Sequence, residues 1–525
     1  RSGSGAGPGL VAAVRRDRRA GAPVSAPPTP STLETAASEL WAERAWLGPE
    51  EGFASDVLVS CSSSGLITGV RTGLPLASCP GAVRLGGDVC LPGFVNAHSH
   101  AFHRALRGVS ETSSGSFWTW RELMYRVAAE LDPDSYRELA ALVYAEMALA
   151  GYSAVGEFHY LHHSEGGVPY ADPNEMGLSL LSAASSAGVR LTLIDACYLQ
   201  AGVDGSPLSG VQLRFGDGSG ERWSDRVTRL LPANGSLVRF GVAAHSVRAT
   251  PPMAIRTVAS LAALAEVPLH VHLSEQRREN EECLKVLGLT PTDLLHDCGA
   301  LTGHTTAVHA THVTTMDIGR LGLAACGVCA CPTTERDLGD GIGPFADLAD
   351  AGAVISIGSD SQAVIDPFEE TRAIELDERL STERRGVWQM AALLAAATSG
   401  GCRSLGWAGG GIRVGGLADV VGIRLDSPRL AGGWSGGLAA SAGAPFGTAP
   451  RAGAGSGGNG GVPGLSAADE ELLARIVFAG SPSDIDTVVV GGRVVVESGE
   501  HVTMGPSQAL AGRLRRAIAA VLEPS

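Results

Sequence analysis

Two histidines one residue apart, His98-Ser99-His100, close an apolar run that begins at Val89. Side chains alternate along an extended strand, so positions i and i+2 share a face. Both imidazoles can then reach one ion. Farther on, His270-Val271-His272-Leu273-Ser274-Glu275 ends a second apolar run and adds an imidazole and a carboxylate. Ile357-Gly358-Ser359-Asp360 ends a third run with another carboxylate. Three imidazoles and one carboxylate suit a single borderline divalent cation, zinc first, with iron(II) and manganese(II) also compatible. A cation so held activates water for hydrolysis near neutral pH. Each residue alone has a blander explanation. His270 reads as packed core or a support for the ligands. His159, His162 and His163 read as a solvated loop, and His296 and His304 as surface. Taken together, His98, His100, His272 and Asp360 are not explained by packing.

These residues need a frame that brings distant strand ends together. Eight apolar or β-branched runs recur, at 89–100, 153–160, 190–198, 238–246, 268–275, 306–312, 326–332 and 353–360. Most are separated by stretches that read as helices, such as 134–151 and 252–266. Repeated strand–helix units imply the α/β class with a parallel sheet. Eight units close a TIM-like (β/α)8 barrel, whose active site lies at the C-terminal rim of the strands. That rim collects His98, His100, His159, His245, His272, Glu275, His309 and Asp360. A random scatter of 14 histidines does not favour one rim. Short strands at 56–60 and 67–73 precede the barrel, and others at 418–425 and 486–500 follow it. Both chain ends should therefore build one small β-sandwich domain. The expected division is a disordered tail at 1–40, the first part of the small domain at 41–88, and the barrel at 89–410. The second part of the small domain follows at 411–500, with a Gly-rich disordered insertion at 432–464, and a terminal helix closes the chain at 501–525.

Composition excludes several classes. Hydrophobic residues are 44% and charged residues 18% of 525, ordinary for an enzyme with a sizeable core. No apolar run approaches the roughly 20 residues that span a bilayer. The net charge is −15 with no basic stripe beyond the first 20 residues, which argues against nucleic acid. A small anionic substrate stays open, because a few local arginines suffice to hold it. Ten irregularly spaced cysteines in a chain this long fit a reduced, cytoplasmic protein. Cys326, Cys329 and Cys331 lie in an apolar run and read as small buried strand residues rather than a metal motif. Arg15-Arg16 and Arg18-Arg19 suggest an export signal, but the following AGAPVSAPPTPS has no apolar core.

LPGFVNAHSH, the HxHxxE around His272, VHATH and IGSD resemble the amidohydrolase superfamily across about residues 89–400. Some members bridge two metals with a carboxylated lysine on strand four. The only lysine here is Lys285, and strand four ends AAHSVRA, so the resemblance implies one divalent metal per chain. Within the superfamily, HSHAFHRALRG, SFWTWRELMYR, EFHYLHH, AHSVRA, HLSEQ, CPTTERDLGDGIGP and GSDS are similar to the formimidoylglutamate deiminases of histidine catabolism. Purine deaminases of the same branch carry Ser-Asn where this chain has Thr333-Thr334-Glu335. The resemblance implies hydrolysis of N-formimino-L-glutamate to N-formyl-L-glutamate and ammonia. In that reading Asp360 takes the proton of water, Glu275 shuttles it to the leaving nitrogen, and His309 stabilises the tetrahedral intermediate. Arg121, Tyr160 and Arg248 hold the substrate carboxylates with His245, and His103 stands where a substrate-contacting Gln is expected. Gln362 likewise replaces an expected His. From its residues alone, Arg248 reads almost equally well as half of a loop salt bridge. A purine-type deaminase is the alternative enzyme, and a barrel without catalysis, used as a binding module, is the alternative of another class. A homodimer is common among similar proteins.

Overall fold

The computed structural model describes residues 37–109, 115, 117–231, 234–432 and 465–523. Nearly all of the tail expected at 1–40 and of the insertion expected at 432–464 lies outside them.

Before the barrel come β1 (Glu39–Trp46), β2 (Phe53–Cys61), β3 (Ile67–Arg71), β4 (Val83–Arg84) and β5 (Val89–Pro92). The barrel is β6 (Phe94–Ser99), β7 (Tyr152–His159), β8 (Arg190–Cys197), β9 (Val238–Ser246), β10 (Leu269–Leu273), β11 (Thr305–His309), β12 (Gly327–Ala330) and β13 (Val354–Ile357). Strands β14 (Val420–Ile423), β15 (Ile485–Val490), β16 (Arg493–Glu497) and β17 (Glu500–His501) follow. The barrel strands pair in chain order, all parallel. A parallel bridge between Ser99 and Asp360 joins first to last. Most barrel strands are buried along their whole length, because side chains fill the inside and helices cover the outside. That is why they read as continuous apolar runs. The remaining strands form one separate sheet, in the order β17-β16-β15-β14-β5-β1-β2-β3, with β4 on β1.

Three boundaries differ from the sequence reading. β1 begins at Glu39, inside the stretch expected to be tail. The run 89–100 is not one barrel strand: β5 pairs with β14 of the end sheet, and only β6 enters the barrel. The break falls at Gly93, where a Cβ would lie 2.4 Å from Ser153 Oγ. The chain end first adds β17 to the end sheet, and the terminal helix starts only at Ser507.

The two sheets are clasped by a buried ion pair. Arg190, at the start of β8, donates from Nε and Nη2 to both oxygens of Asp419, at 2.7 and 2.9 Å. Gly491 N–H donates to the same carboxylate at 2.7 Å. Asp419→Asn leaves this guanidinium buried without its charge partner. We expect a loss of about 3 kcal/mol of stability, read from urea unfolding midpoints; an unchanged midpoint refutes the clasp.

Candidate active site

His98 and His100 project from the end of β6 toward His272 on β10 and Asp360 just past β13. His98 Nε2 lies 3.1 Å from Asp360 Oδ1 and 3.1 Å from His272 Nε2. His100 Nε2 is 3.4 Å from the same Asp360 oxygen. The intervening Ser99 points away and donates to Glu157 at 2.9 Å. Close approach of the last strand to the first is possible because Gly358 has no Cβ; one would lie 2.8 Å from both Cβ and O of His98.

The donor atoms of His100 and His272 face inward as free lone pairs. His100 Nδ1 is 2.9 Å from Phe158 O and His272 Nδ1 is 2.8 Å from His245 O. A carbonyl only accepts, so each Nδ1 carries the ring proton and each Nε2 is bare. Burial lowers the pKa of His98, His100 and His272, which keeps the rings neutral. Burial alone would raise the Asp360 carboxyl. The His98 hydrogen bond and the neighbouring imidazoles outweigh it and hold the group far below the usual carboxylate range. Four ligand atoms lie within 4.8 Å of one another. Bare nitrogens and a carboxylate packed so closely repel unless a cation sits among them, so the residues fit a divalent metal. Elemental analysis of protein purified and reloaded with metal is expected to give one divalent ion per chain. Two, or none, would refute the site.

Beside this cluster, Glu275 follows β10 and His309 ends β11. His309 Nε2 lies 3.8 Å from Glu275 Oε1 and 3.9 Å from Asp360 Oδ2, and has no hydrogen-bond partner. The backbone is left-handed at Ser274, His309 and Asp360, with φ of 52°, 69° and 40°. Non-glycine residues held there cost roughly 1–3 kcal/mol each. At His309 and Asp360 the side chains so placed line the barrel mouth.

The mouth is a cleft lined by His100, His103, Arg121, Tyr160, His245, Arg248, His272, Glu275, His309 and Asp360. His98 lies beneath. His103 Nε2 is 2.9 Å from the Tyr160 hydroxyl. Arg121 sits on the helix α1 (Phe117–Glu130), stacked 4.4 Å over Trp118 and 5.6 Å over Tyr125. Arg248 is buried, with Nε unpartnered, and rests 5.9 Å from the Phe117 ring. Neither guanidinium forms an ion pair among the described residues, so the loop salt bridge is not the explanation of Arg248. Gln362 does not face the cleft; it donates to Ser99 Oγ at 2.9 Å and accepts from Ser359 at 2.8 Å.

Sequence reasoning misplaced one group. His159, His162 and His163 are buried, not solvated. They join Asp195, Asp217 and Arg226 in a network behind the cleft. Arg226 grips both oxygens of Asp195 at 2.8 and 2.9 Å, and His163 Nε2 is 3.1 Å from Asp217. Arg214 adjoins this network through His163 O and donates to the backbone carbonyls of Ala128, Ala129 and Leu131. Those carbonyls end α1, so the network helps to set where Arg121 stands. His270 is core, with Nε2 at 2.8 Å from Ser404 O. His296 and His304 are exposed, and Cys326, Cys329 and Cys331 are buried.

Sequence reasoning also missed residues. Tyr198 and Phe215 line the cleft. Tyr198 ends the third apolar run and was legible there; Phe215 ends the short 3-10 helix Gly210–Phe215, whose sequence carries no periodic signal. Glu335 and Asp340 are buried close to His309 and Gln276. Burial, then the nearby Glu275, pushes the Asp340 carboxyl up to about 9.

The sequence profile of the amidohydrolase family matches residues 89–495. A formimidoylglutamate deiminase of Pseudomonas aeruginosa is 37% identical over 475 residues, 88% of this chain and 96% of that protein. An 8-oxoguanine deaminase of the same organism is 29% identical over 376 residues, 68% of this chain and 79% of its own length. The crystal structure of an amidohydrolase from Brucella melitensis superposes with a TM-score of 0.77 at 30% identity, covering 92% of this chain and 99% of the other.

Proposed function

This chain belongs to the amidohydrolase family, and from that membership we propose that it hydrolyses N-formimino-L-glutamate to N-formyl-L-glutamate and ammonia. The observation that carries the reading is the pair Arg121 and Arg248. Two guanidiniums without ion pairs in one cleft, one of them buried, need anions. The substrate's glutamate part brings two carboxylates, which match the guanidinium fork. A neutral purine ring would leave both guanidiniums without an ion pair.

His98, His100, His272 and Asp360 would hold the metal, and the three imidazoles with one carboxylate favour zinc. Bound there, the ion supplies a water activated for attack near neutral pH. Asp360 Oδ2, free of the two imidazoles, accepts that water's proton. Burial raises the Glu275 carboxyl, so it can carry a proton and deliver it to the leaving nitrogen. His309 Nε2 points between Glu275 and Asp360 and donates to the tetrahedral centre. Tyr160, paired with His103, and His245 border the side of the cleft where the glutamate part lies. Ammonia departs and the formyl product remains. Among the described residues no helix is long and apolar enough to cross a membrane, and a cytoplasmic setting accords with histidine degradation.

The test is steady-state ammonia release from N-formimino-L-glutamate, 8-oxoguanine and formamidine. Strong preference for the first is expected. Activity on the purine alone would replace this reading with the ring-deaminase one, and no activity on any of the three by metal-loaded protein would favour a binding module.

A further inference from the structure

We propose that Glu335 is the positioning residue of the deiminase reaction, holding the Nδ1 proton of His309 and so aiming its Nε2 into the cleft; the inference rests on the proposed deiminase activity. Glu335 touches neither the cleft nor the ligand cluster. It lies on the short helix Pro332–Asp337 and is 3% exposed. Its Oε1 is 3.3 Å from His309 Nδ1 and accepts from the Cys331 backbone N–H at 3.0 Å.

The second of these contacts decides the first. A backbone N–H only donates, so Oε1 is an acceptor whether or not the other oxygen carries a proton. With Glu335 ionised, the His309 Nδ1 facing the same oxygen is the protonated nitrogen. The other nitrogen, Nε2, faces Glu275 and Asp360 and has no partner of its own. Held through Nδ1, the ring donates from Nε2 to the tetrahedral centre without turning, and the Glu335 carboxylate stabilises it while it is charged.

Helix capping alone does not account for the arrangement. The capping contact needs only Cys331 N–H and Glu335, and any solvated ring could have stood beside them. Instead a fully buried imidazole is aimed at the same oxygen from a left-handed residue, His309 with φ 69°, followed by a second, Ala310 with φ 52°. A carboxylate that orients a catalytic imidazole through Nδ1 is the logic of the serine-protease triad, where the amide replacement enforces the wrong tautomer. Glu335 also occupies the Cys-Pro loop in which this chain departs from the Ser-Asn of purine deaminases.

The experiment compares wild type, Glu335→Gln, Glu335→Asp, His309→Ala and His309→Ala/Glu335→Gln on N-formimino-L-glutamate, with metal content measured for each. The glutamine amide can donate to Nδ1, leaving the ring without that proton and without a carboxylate to stabilise its charge. Its kcat should fall roughly 10²–10⁴-fold with KM within about threefold and metal content unchanged. Glu335→Asp keeps a carboxylate and should recover at least tenfold of that loss. In the His309→Ala background, Glu335→Gln should change kcat less than about twofold, because its effect runs through the ring. Full loss again in that background, a rise in KM without a fall in kcat, or loss of metal or fold in the Gln variant would overturn the proposal in favour of a structural role. A wild type that releases no ammonia from this substrate would instead count against the deiminase reading on which the proposal stands.

Discussion

Glu275→Gln should retain its metal and its fold and lose about 10²–10⁴-fold in kcat, the usual contribution of a general acid–base group. The glutamine has the same shape and fills the same buried position, 3.8 Å from His309 Nε2. What it lacks is the exchangeable proton. Burial already raises this carboxyl, so the wild-type group is suited to give a proton to a nitrogen that departs as ammonia. KM should move little, because the residue contacts the reacting end and not the carboxylates. An isosteric variant as fast as wild type would mean that another group carries the proton; Asp340, raised to about 9, would be the next to test.

Arg121→Met should raise KM and cut kcat/KM by roughly 30- to 5,000-fold, corresponding to the 2–5 kcal/mol lost when a desolvated charged pair is broken. Metal content should not change, since α1 contributes nothing to the ligand cluster. Stability should hold as well: Arg121 has no carboxylate partner among the described residues, so its removal strands no buried charge. Arg121→Lys should rescue only in part. The guanidinium lies 4.4 Å over the Trp118 ring, and an ammonium reproduces neither that contact nor the two-pronged grip. Wild type should strongly prefer N-formimino-L-glutamate over formamidine, and Arg121→Met should lose most of that preference. Equal wild-type rates on both compounds would leave the chemistry standing and remove the substrate.

Some of this was legible without coordinates because it is periodic or local. Strands covered on both faces must be apolar throughout, so eight such runs announced a parallel barrel. His98 and His100 had to share a face because side chains alternate, and they do. The rim rule then gathered His272, Glu275, His309 and Asp360 although they are far apart in sequence. Strand edges were less legible. Nothing in 89–100 says that the chain leaves one sheet and enters another at Gly93, because both halves are equally apolar and the reason is the nearness of Ser153.

The histidines show the same division. His159, at a strand end like His309, met the rim criterion as well as its neighbours did. It turned instead to the outer face, where Arg226, Asp195 and Asp217 make buried polar groups affordable. The residue types and their spacing determined that this chain could hold one divalent ion at the mouth of a barrel. Tertiary structure alone decided which imidazoles converge at one point, that no carboxylate among the described residues comes within ion-pair distance of Arg248, and that Glu335 reaches His309. The reason is physical: periodicity reports which face of an element a residue occupies, whereas a hydrogen bond or an unpaired charge depends on what another part of the chain brings within about 3 Å.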